Sequence, residues 1–305
     1  MDLTRLRTLR EFADRGTVTA TAAALHRTPS AVSQQLRGLS AQVGVALTEP
    51  AGRGLRLTDA GRALVARADA VLAAAEHAEA ELDAYRTRPR GRVRVALFPS
   101  GAVMLLAGLL RRVAELPGLV VECRDVDVRH HEATALLADF DVVVTHRAEQ
   151  SPPADGDRVE AVHLLREPLD VALPADHRLA RAPSVTLADL AAEQWICVQV
   201  GFPIDDVLNH LGDRTGTRPV VAHRINTIAI TERLVAAGLG VALLPRYGTG
   251  WEHLARRPLA DLRPARHIDA LIRPGTAEIP TTAAVLDALR VEADSLSAQP
   301  HRAGP

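Results

Sequence analysis

Apolar positions recur with helical spacing over the first 44 residues and predict three short helices. In the first helix the apolar residues return every three positions, so they share one face; they are Leu3, Leu6, Leu9 and Phe12. A second helix is predicted over 20–25. The third begins after Thr28, because threonine is a favourable N-cap and Pro29 suits the first helical position.

The third predicted helix has an apolar side and a polar side. Val32, Leu36 and Leu39 form a stripe that must face other helices. The polar residues on the opposite side are Ser30, Ser33, Gln34 and Arg37. Hydroxyl, amide and guanidinium groups hydrogen-bond phosphates and base edges in a major groove. Two short helices joined by a tight turn, the second with a polar outer side, form a helix-turn-helix pattern. Taken alone, the third predicted helix also fits an ordinary surface helix.

Residues 52–58 predict a tight turn between two short extended segments, which form a small wing. Arg53 and Arg56 at its tip suit a DNA backbone or a narrow minor groove. The wing and the third helix together supply the predicted DNA contacts. These are Thr28, Pro29, Ser30, Ser33, Gln34, Arg37, Arg53 and Arg56.

A long helix is predicted over 59–86. It is followed by a hinge at 87–91, where Pro89 and Gly91 end the helix. Its apolar residues alternate at four- and three-residue spacing, which is the seam of a coiled coil. The predicted dimerisation residues are Leu64, Ala68, Val71, Ala75 and Leu82. The alternative is a helix that lies on its own chain.

From residue 92 onward strands and helices alternate, which indicates a parallel sheet covered by helices. Two such units are predicted: lobe 1 at about 92–160 plus 266–297, and lobe 2 at about 161–265. Ligands bind beyond the carboxyl ends of such strands, often at helix N-termini, in the cleft between lobes. The candidate ligand residues are Phe98, Pro99, Ser100, Gly101, Thr145, His146, Gly201, Phe202 and Thr227. For each of these residues taken singly, the alternative is a helix cap or an ordinary core residue.

The net charge of −1 conceals a basic amino-terminal part. Residues 1–67 carry ten Arg and five acidic residues, a net +5, and the remainder carries −6. A basic front on an acidic body indicates one nucleic-acid-binding module attached to a part that does not bind nucleic acid.

Other chemistry is not indicated. Cys123 and Cys197 are interpreted as buried residues, with a redox-sensing pair as the alternative. His130, His131 and Glu132 lack the spacing of a metal helix, and no phosphate loop or nucleophile elbow occurs. We therefore expect no metal, no cofactor and no enzyme activity. With no membrane-spanning run or signal peptide, we expect a cytoplasmic protein without a membrane partner.

The N-terminal motifs resemble the DNA-binding domain of LysR-type transcriptional regulators. They occur in the family's order at 22–25, 28–36, 44–45 and 52–61, and residues 238–245 resemble its effector-binding domain. One departure concerns residues 48–50, Thr-Glu-Pro, where the family usually has an aromatic residue, an acid and an arginine.

The resemblance implies an α/β protein with three parts. They are a winged helix-turn-helix domain (1–58), a linker or dimerisation helix with hinge (59–91), and a two-lobed, periplasmic-binding-protein-like effector domain (92–305). It implies a ligand-responsive regulator that binds a partly palindromic operator as a dimer or tetramer and changes DNA geometry when a small molecule binds. The implied partners are double-stranded DNA, an unidentified effector, other copies of the chain and, for an activator, RNA polymerase.

Two other classes remain open from the residues. One is a small-molecule-binding protein or enzyme whose N-terminal helices serve only for dimerisation. The other is a structural DNA-binding protein of the nucleoid type, which needs no ligand cleft.

Overall fold

The N-terminal helices form in the predicted order and enclose a small core. The computed structural model describes residues 2–52, 54–84, 90–247, 253–260 and 262–298. Helices α1 (Leu3–Arg15), α2 (Val18–Ala24) and α3 (Pro29–Val43) come first. The Thr28 hydroxyl accepts a hydrogen bond from the Ala31 amide at 3.2 Å, so it caps α3 as predicted. The core between the helices includes Leu9, Phe12, Val32, Leu36 and Leu39.

The wing and the linker helix follow without a break. Strands β1 (Thr48–Ala51) and β2 (Gly54–Leu57) pair antiparallel. Helix α4 (Asp59–Ala84) then runs for 26 residues, or about 39 Å at the α-helical rise. A side chain at Gly61 would collide with the Leu47 carbonyl, so glycine lets the first turn of α4 lie against the preceding loop.

Part of the predicted coiled-coil seam is covered by the same chain. Ala68 is fully buried and Leu64 half-buried, because both pack near Leu6 of α1. Ala75 is also half-buried, whereas Val71 is exposed; the side chain of Leu82 lies outside the described residues. The alanines one position before Leu64, Val71 and Ala75 face outward: Ala63, Ala70 and Ala74. The alternative of a helix lying on its own chain is therefore correct for one side of α4.

The C-terminal part is organised around one continuous sheet. Its strands are β3 (Gly91–Leu97), β4 (Leu119–Asp125), β5 (Val142–Ala148), β6 (Glu160–Pro174), β9 (Ala242–Pro245), β10 (Leu254–Arg257) and β11 (Ala265–Ile272). The spatial order is β10, β6, β11, β5, β3, β4, and β9 also pairs with β6. Residues 160–168 of β6 pair with β11 and residues 169–174 pair with β9 and β10, so this strand passes from one lobe into the other.

The remaining elements cover the two lobes. They are α5 (Pro99–Ala114), α6 (His130–Ala133), a 3₁₀ helix (Thr134–Ala138), β7 (Gln194–Cys197), α7 (Pro203–Thr215), β8 (Val220–Arg224), α8 (Ile228–Ala236) and α9 (Pro280–Ala298). Separate apolar cores lie on the two sides of the crossing strands. The predicted helix over 186–191 is wrong, because that stretch forms consecutive turns. No helix in the described part of the chain is long and apolar enough to cross a membrane.

Four charged residues hold the N-terminal domain against lobe 1, and we call them the ion-pair square. Arg273 lies 2.7 Å from Asp14 of α1 and 3.1 Å from Asp69 of α4. Arg158 lies 2.8 Å and 3.1 Å from the same two carboxylates. The Asp69 side chain is fully buried and that of Asp14 is 9% exposed. Each charge therefore has two opposite partners in a region of reduced solvent screening.

Candidate functional site

The polar side of α3 lies on the surface of the N-terminal domain. Ser30, Gln34 and Arg37 are exposed and Ser33 is half-buried. Thr28 and Pro29 are exposed at the start of the helix, where the Thr28 and Ser30 hydroxyls lie 3.0 Å apart. The apolar stripe on the other side is buried in the N-terminal core, so packing fixes which side of α3 faces outward. The polar side chains of α3 are therefore accessible at the surface of the domain.

The wing carries an ion pair that sequence reasoning did not anticipate. Glu49 and Arg56 face each other across β1 and β2, with a carboxylate–guanidinium distance of 2.7 Å. Arg56 was expected to be free for a DNA contact, but part of its donor capacity is taken by Glu49. Arg53, the other predicted wing contact, lies outside the described residues. Pro50 stands where the family usually has an arginine, so this wing is less basic.

A cavity of about 210 Å³ lies between the two lobes. Lobe 1 contributes the start of α5, the ends of β4 and β5 and the start of β11, and lobe 2 contributes the starts of α7 and α8. Its lining includes the predicted residues Phe98, Pro99, Ser100, His146, Phe202 and Thr227. We call this space the cleft cavity.

A buried polar network forms the lobe 1 wall of the cleft cavity. Arg266, which is 1% exposed, lies 2.7 Å from the fully buried carboxylate of Glu167. Its guanidinium also donates to the Ser100 hydroxyl and to Nδ1 of His146, both at 3.0 Å. Phe98 stacks on the His146 ring at a centroid distance of 4.2 Å. These contacts lock the rotamers of the wall.

The Arg266 bond also defines the tautomer of His146. Burial and the neighbouring Arg266 charge hold the pKa of His146 well below its ordinary value, so the ring is neutral. Because Nδ1 accepts from Arg266, the proton of the neutral ring resides on Nε2. Nε2 is buried and has no hydrogen-bond partner among the described residues. The Nε2–H group is therefore a buried donor without an acceptor among the described residues.

Carboxylates dominate the rest of the polar lining. Asp127, after β4, accepts a hydrogen bond from Asn226, after β8, at 2.8 Å, which connects the two lobes. Glu232 of α8 is half-buried, and desolvation raises its pKa. It forms no hydrogen bond or ion pair with any residue that the structure describes.

Three predicted ligand residues lie outside the lining of the cleft cavity. Thr145 points to the opposite side of β5 from His146, because side chains alternate along a strand. Gly101 packs against the Phe98 ring, and a Cβ there would meet that ring at 2.5 Å. Gly201 has a left-handed φ of +82° and lies beside Arg129. These two glycines shape the backbone around the cavity.

Sequence reasoning missed several lining residues, of which Arg266, Asp127 and Glu232 carry charge. The available signal at Arg266 was a charged residue in a strand whose other residues are mostly apolar. Such a residue needs a buried partner, but nothing local indicates Glu167, which is 99 positions away.

The cysteines have environments that disfavour thiolate chemistry. Burial raises the pKa of Cys123, and burial together with the Asp205 carboxylate raises the pKa of Cys197 to about 12. They lie on β4 and β7 in different lobes. Among the described residues no group of three His, Cys, Asp or Glu side chains is placed to hold a metal ion.

The comparisons with known proteins match both parts of the chain. Residues 3–62 match the family model described as bacterial regulatory helix-turn-helix protein, lysR family, and residues 86–294 match the LysR substrate binding domain. The small neutral protease regulatory protein of Streptomyces coelicolor is 33% identical, over 84% of this chain and 81% of that protein.

Solved structures share the fold over the whole chain. A full-length OxyR variant from Pseudomonas aeruginosa has a TM-score of 0.70 at 20% identity and covers 95% of each chain. Full-length CbnR complexed with its target DNA has a TM-score of 0.55 at 24% identity, over 96% of this chain and all of that one. The predicted winged helix-turn-helix and two-lobed effector architecture is thereby confirmed. The chain belongs to the LysR family of ligand-responsive, DNA-binding transcriptional regulators.

Proposed function

We propose that α3 is the recognition helix of this regulator and that Ser30, Ser33, Gln34 and Arg37 contact base edges and nearby phosphates. The observation that carries this assignment is the exposed polar side of α3 above a fully buried apolar stripe. Amide and guanidinium groups at the N-terminal half of such a helix match the donor and acceptor pattern of the major groove.

The start of α3 and the wing supply backbone contacts in this proposal. Thr28 and Pro29 place the first free amides of α3 at the surface, where a phosphate is favoured. Arg53 and Arg56 approach the adjacent backbone or minor groove. These contacts position the domain and make its affinity dependent on salt.

Dimerisation is assigned to the outward side of α4. Ala63, Ala70, Val71 and Ala74 are exposed on that side, whereas Ala68 is covered by α1. Alanines allow close helix approach but bury little area, so a stable pair needs further contacts between subunits. A two-fold pair places two recognition helices on one face of the duplex, which fits a partly palindromic operator.

The cleft cavity is the effector site in this proposal, with domain boundaries at 58/59 and 91/92. The ion-pair square joins lobe 1 to α1 and α4, so a ligand that favours one lobe arrangement also biases the position of the recognition helix. Such a ligand acts only through unequal affinity for two arrangements. The regulator works as a dimer or tetramer in the cytoplasm without catalysis, and contacts RNA polymerase where it activates.

The wing ion pair provides a direct test of the DNA-binding surface. We expect Glu49→Gln to tighten binding of the full chain to any duplex by about three- to tenfold at low salt, because it removes a charge that repels phosphate and frees Arg56. Fluorescence anisotropy across a salt series measures the affinity and its slope. Arg37→Ala is expected to weaken binding in the same assay.

The matched control is Glu115→Gln, which removes an equal charge at the exposed end of α5, far from the wing. It should leave DNA affinity unchanged. Equal affinities for Glu49→Gln, Arg37→Ala and the unmodified chain would contradict the proposed surface.

A further inference from the structure

The cleft cavity has an excess of negative charge on its wall. Asp127 and Glu232 contribute two carboxylates, and Arg266 contributes the cation found among its described lining residues. The Arg266 charge is already balanced by Glu167, which is fully buried 2.7 Å behind it. An entering anion therefore meets uncompensated carboxylates, whereas a cationic group is attracted.

Glu232 is the lining carboxylate that has no hydrogen-bond partner among the described residues. Asp127 receives a hydrogen bond from Asn226 at 2.8 Å, but Glu232 has no hydrogen bond or ion pair to any described residue. Its partial burial raises its pKa, which reports a charge that the surroundings do not stabilise. A ligand ammonium group would supply three donors and the missing positive charge at this point.

The opposite wall offers hydrogen-bond donors. His146 lines this wall, but its Nε2 atom is itself buried and presents no accessible donor to the cavity. Ser100 accepts from Arg266, so its own hydroxyl proton is free to point into the cavity. The first turn of α5 has no side-chain cap, because Phe98 occupies the N-cap position. This wall suits a carboxylate or carbonyl oxygen.

Apolar side chains make up much of the remaining lining of the cleft cavity. They are Phe98, Val103, Val198, Phe202, Ile204 and Ile228. The cavity volume of about 210 Å³ is below the roughly 300 Å³ at which pockets for drug-sized ligands begin. A small molecule with an apolar body therefore matches both the surface and the size.

We propose that the cleft cavity binds a small zwitterion, an amino acid with an apolar side chain. Its ammonium group pairs with Glu232, its carboxylate accepts from the Ser100 hydroxyl and the start of α5, and its side chain packs between Phe98 and Phe202. This assignment rests on the proposed effector role of the cavity and adds the chemical class of the effector.

Two probe series with matched carbon skeletons test the assignment on the full chain. The first is L-leucine, 4-methylpentanoate and 3-methylbutylamine; the second is L-phenylalanine, 3-phenylpropanoate and 2-phenylethylamine. In isothermal titration calorimetry, we expect the amino acid of at least one series to bind at least tenfold tighter than its amine-free acid.

The Glu232→Gln variant isolates the ammonium contact. We expect it to weaken binding of that amino acid about tenfold to a hundredfold, the range for a charge-assisted hydrogen bond, and to leave the amine-free acid unchanged or bound more tightly. Glu115→Gln, with the same charge change outside the cleft, should bind like the unmodified chain. An unchanged melting temperature establishes that Glu232→Gln is folded.

Three results would overturn the assignment: equal or tighter binding of the amine-free acid, no binding of either amino acid, or an undiminished amino-acid preference in Glu232→Gln. Operator affinity measured on the same samples separates this failure from that of the proposed function. Sequence-specific DNA binding that responds to an amine-free acid would refute only the ligand class. Amino-acid binding with no effect on DNA affinity would retain the ligand class and contradict the effector role.

Discussion

Replacing Glu167 with methionine is expected to lower the free energy of unfolding of the effector domain by about 3–5 kcal/mol. Arg266 is 1% exposed and would lose its compensating charge, and the Tyr247 amide would lose its acceptor. Arg266 would remain buried without a counter-charge and the half-buried Tyr247 amide without its acceptor, which costs more than the native pair contributes. Urea-induced unfolding followed by tryptophan fluorescence measures the loss, since both tryptophans, Trp195 and Trp251, lie after residue 91.

The control and the rescue make this prediction specific. Glu122→Met removes a carboxylate that pairs with Arg92 at 3.0 Å on the exposed surface, and it should change stability by less than about 1 kcal/mol. The double variant Glu167→Met with Arg266→Met removes both buried charges and should recover most of the lost stability. Equal stability of Glu167→Met and Glu122→Met would show that the buried pair is not the support of the cleft wall.

Replacing Asp69 with alanine is expected to weaken docking of the N-terminal domain on lobe 1 by about 2 kcal/mol, or about thirtyfold. Asp69 is fully buried and accepts from Arg158 and Arg273, and Asp14 alone cannot satisfy both cations. Hydrogen–deuterium exchange should show faster exchange in α1, α4 and the segment around residue 273.

Asp287→Ala removes a surface carboxylate that pairs with Arg290 at 3.0 Å, and it should leave this exchange unchanged. The Asp69→Ala variant should also respond less to effector in DNA-binding assays, because the ion-pair square connects lobe 1 to α1, which packs against α3. An Asp69→Ala exchange pattern identical to that of Asp287→Ala would remove the ion-pair square as a connection.

The N-terminal domain could be predicted closely because its signals are local. The N-cap at Thr28, the proline at position 29 and the stripe of Val32 and Leu36 all lie within one short segment. The same holds for the exposed side of α3, since one stripe must be buried. The wing ion pair was missed because Glu49 and Arg56 meet only through the hairpin register.

In the linker helix α4, the spacing of apolar residues did not predict which side is buried. Alanines occupy most positions around α4, so the sequence does not indicate which stripe α1 covers. Ala68 faces α1 and Ala70 faces outward, a difference that only tertiary packing decides. The first half of β6 was missed for a related reason, because Glu160, His163 and Arg166 interrupt its apolar pattern.

The cleft was located by a general rule, but its chemistry depends on distant pairs. The ends of parallel strands and the starts of α5 and α8 predicted a cleft at this position, and Ser100, His146 and Phe202 line the cavity there. The state of His146 follows from Arg266, which is 120 positions away. Contacts at that separation leave no trace in local periodicity or composition.

Base preference tests most directly whether α3 contacts base edges in the way proposed for a regulator whose effector binds in the cleft cavity. Operators selected from a random duplex library should differ between the unmodified chain and Gln34→Ala at one base pair in each half-site, with about 1–3 kcal/mol of lost discrimination there. Arg53→Ala should weaken all selected sites alike and flatten the salt dependence. Identical base preferences for Gln34→Ala and the unmodified chain, with equal weakening on every duplex, would contradict the account.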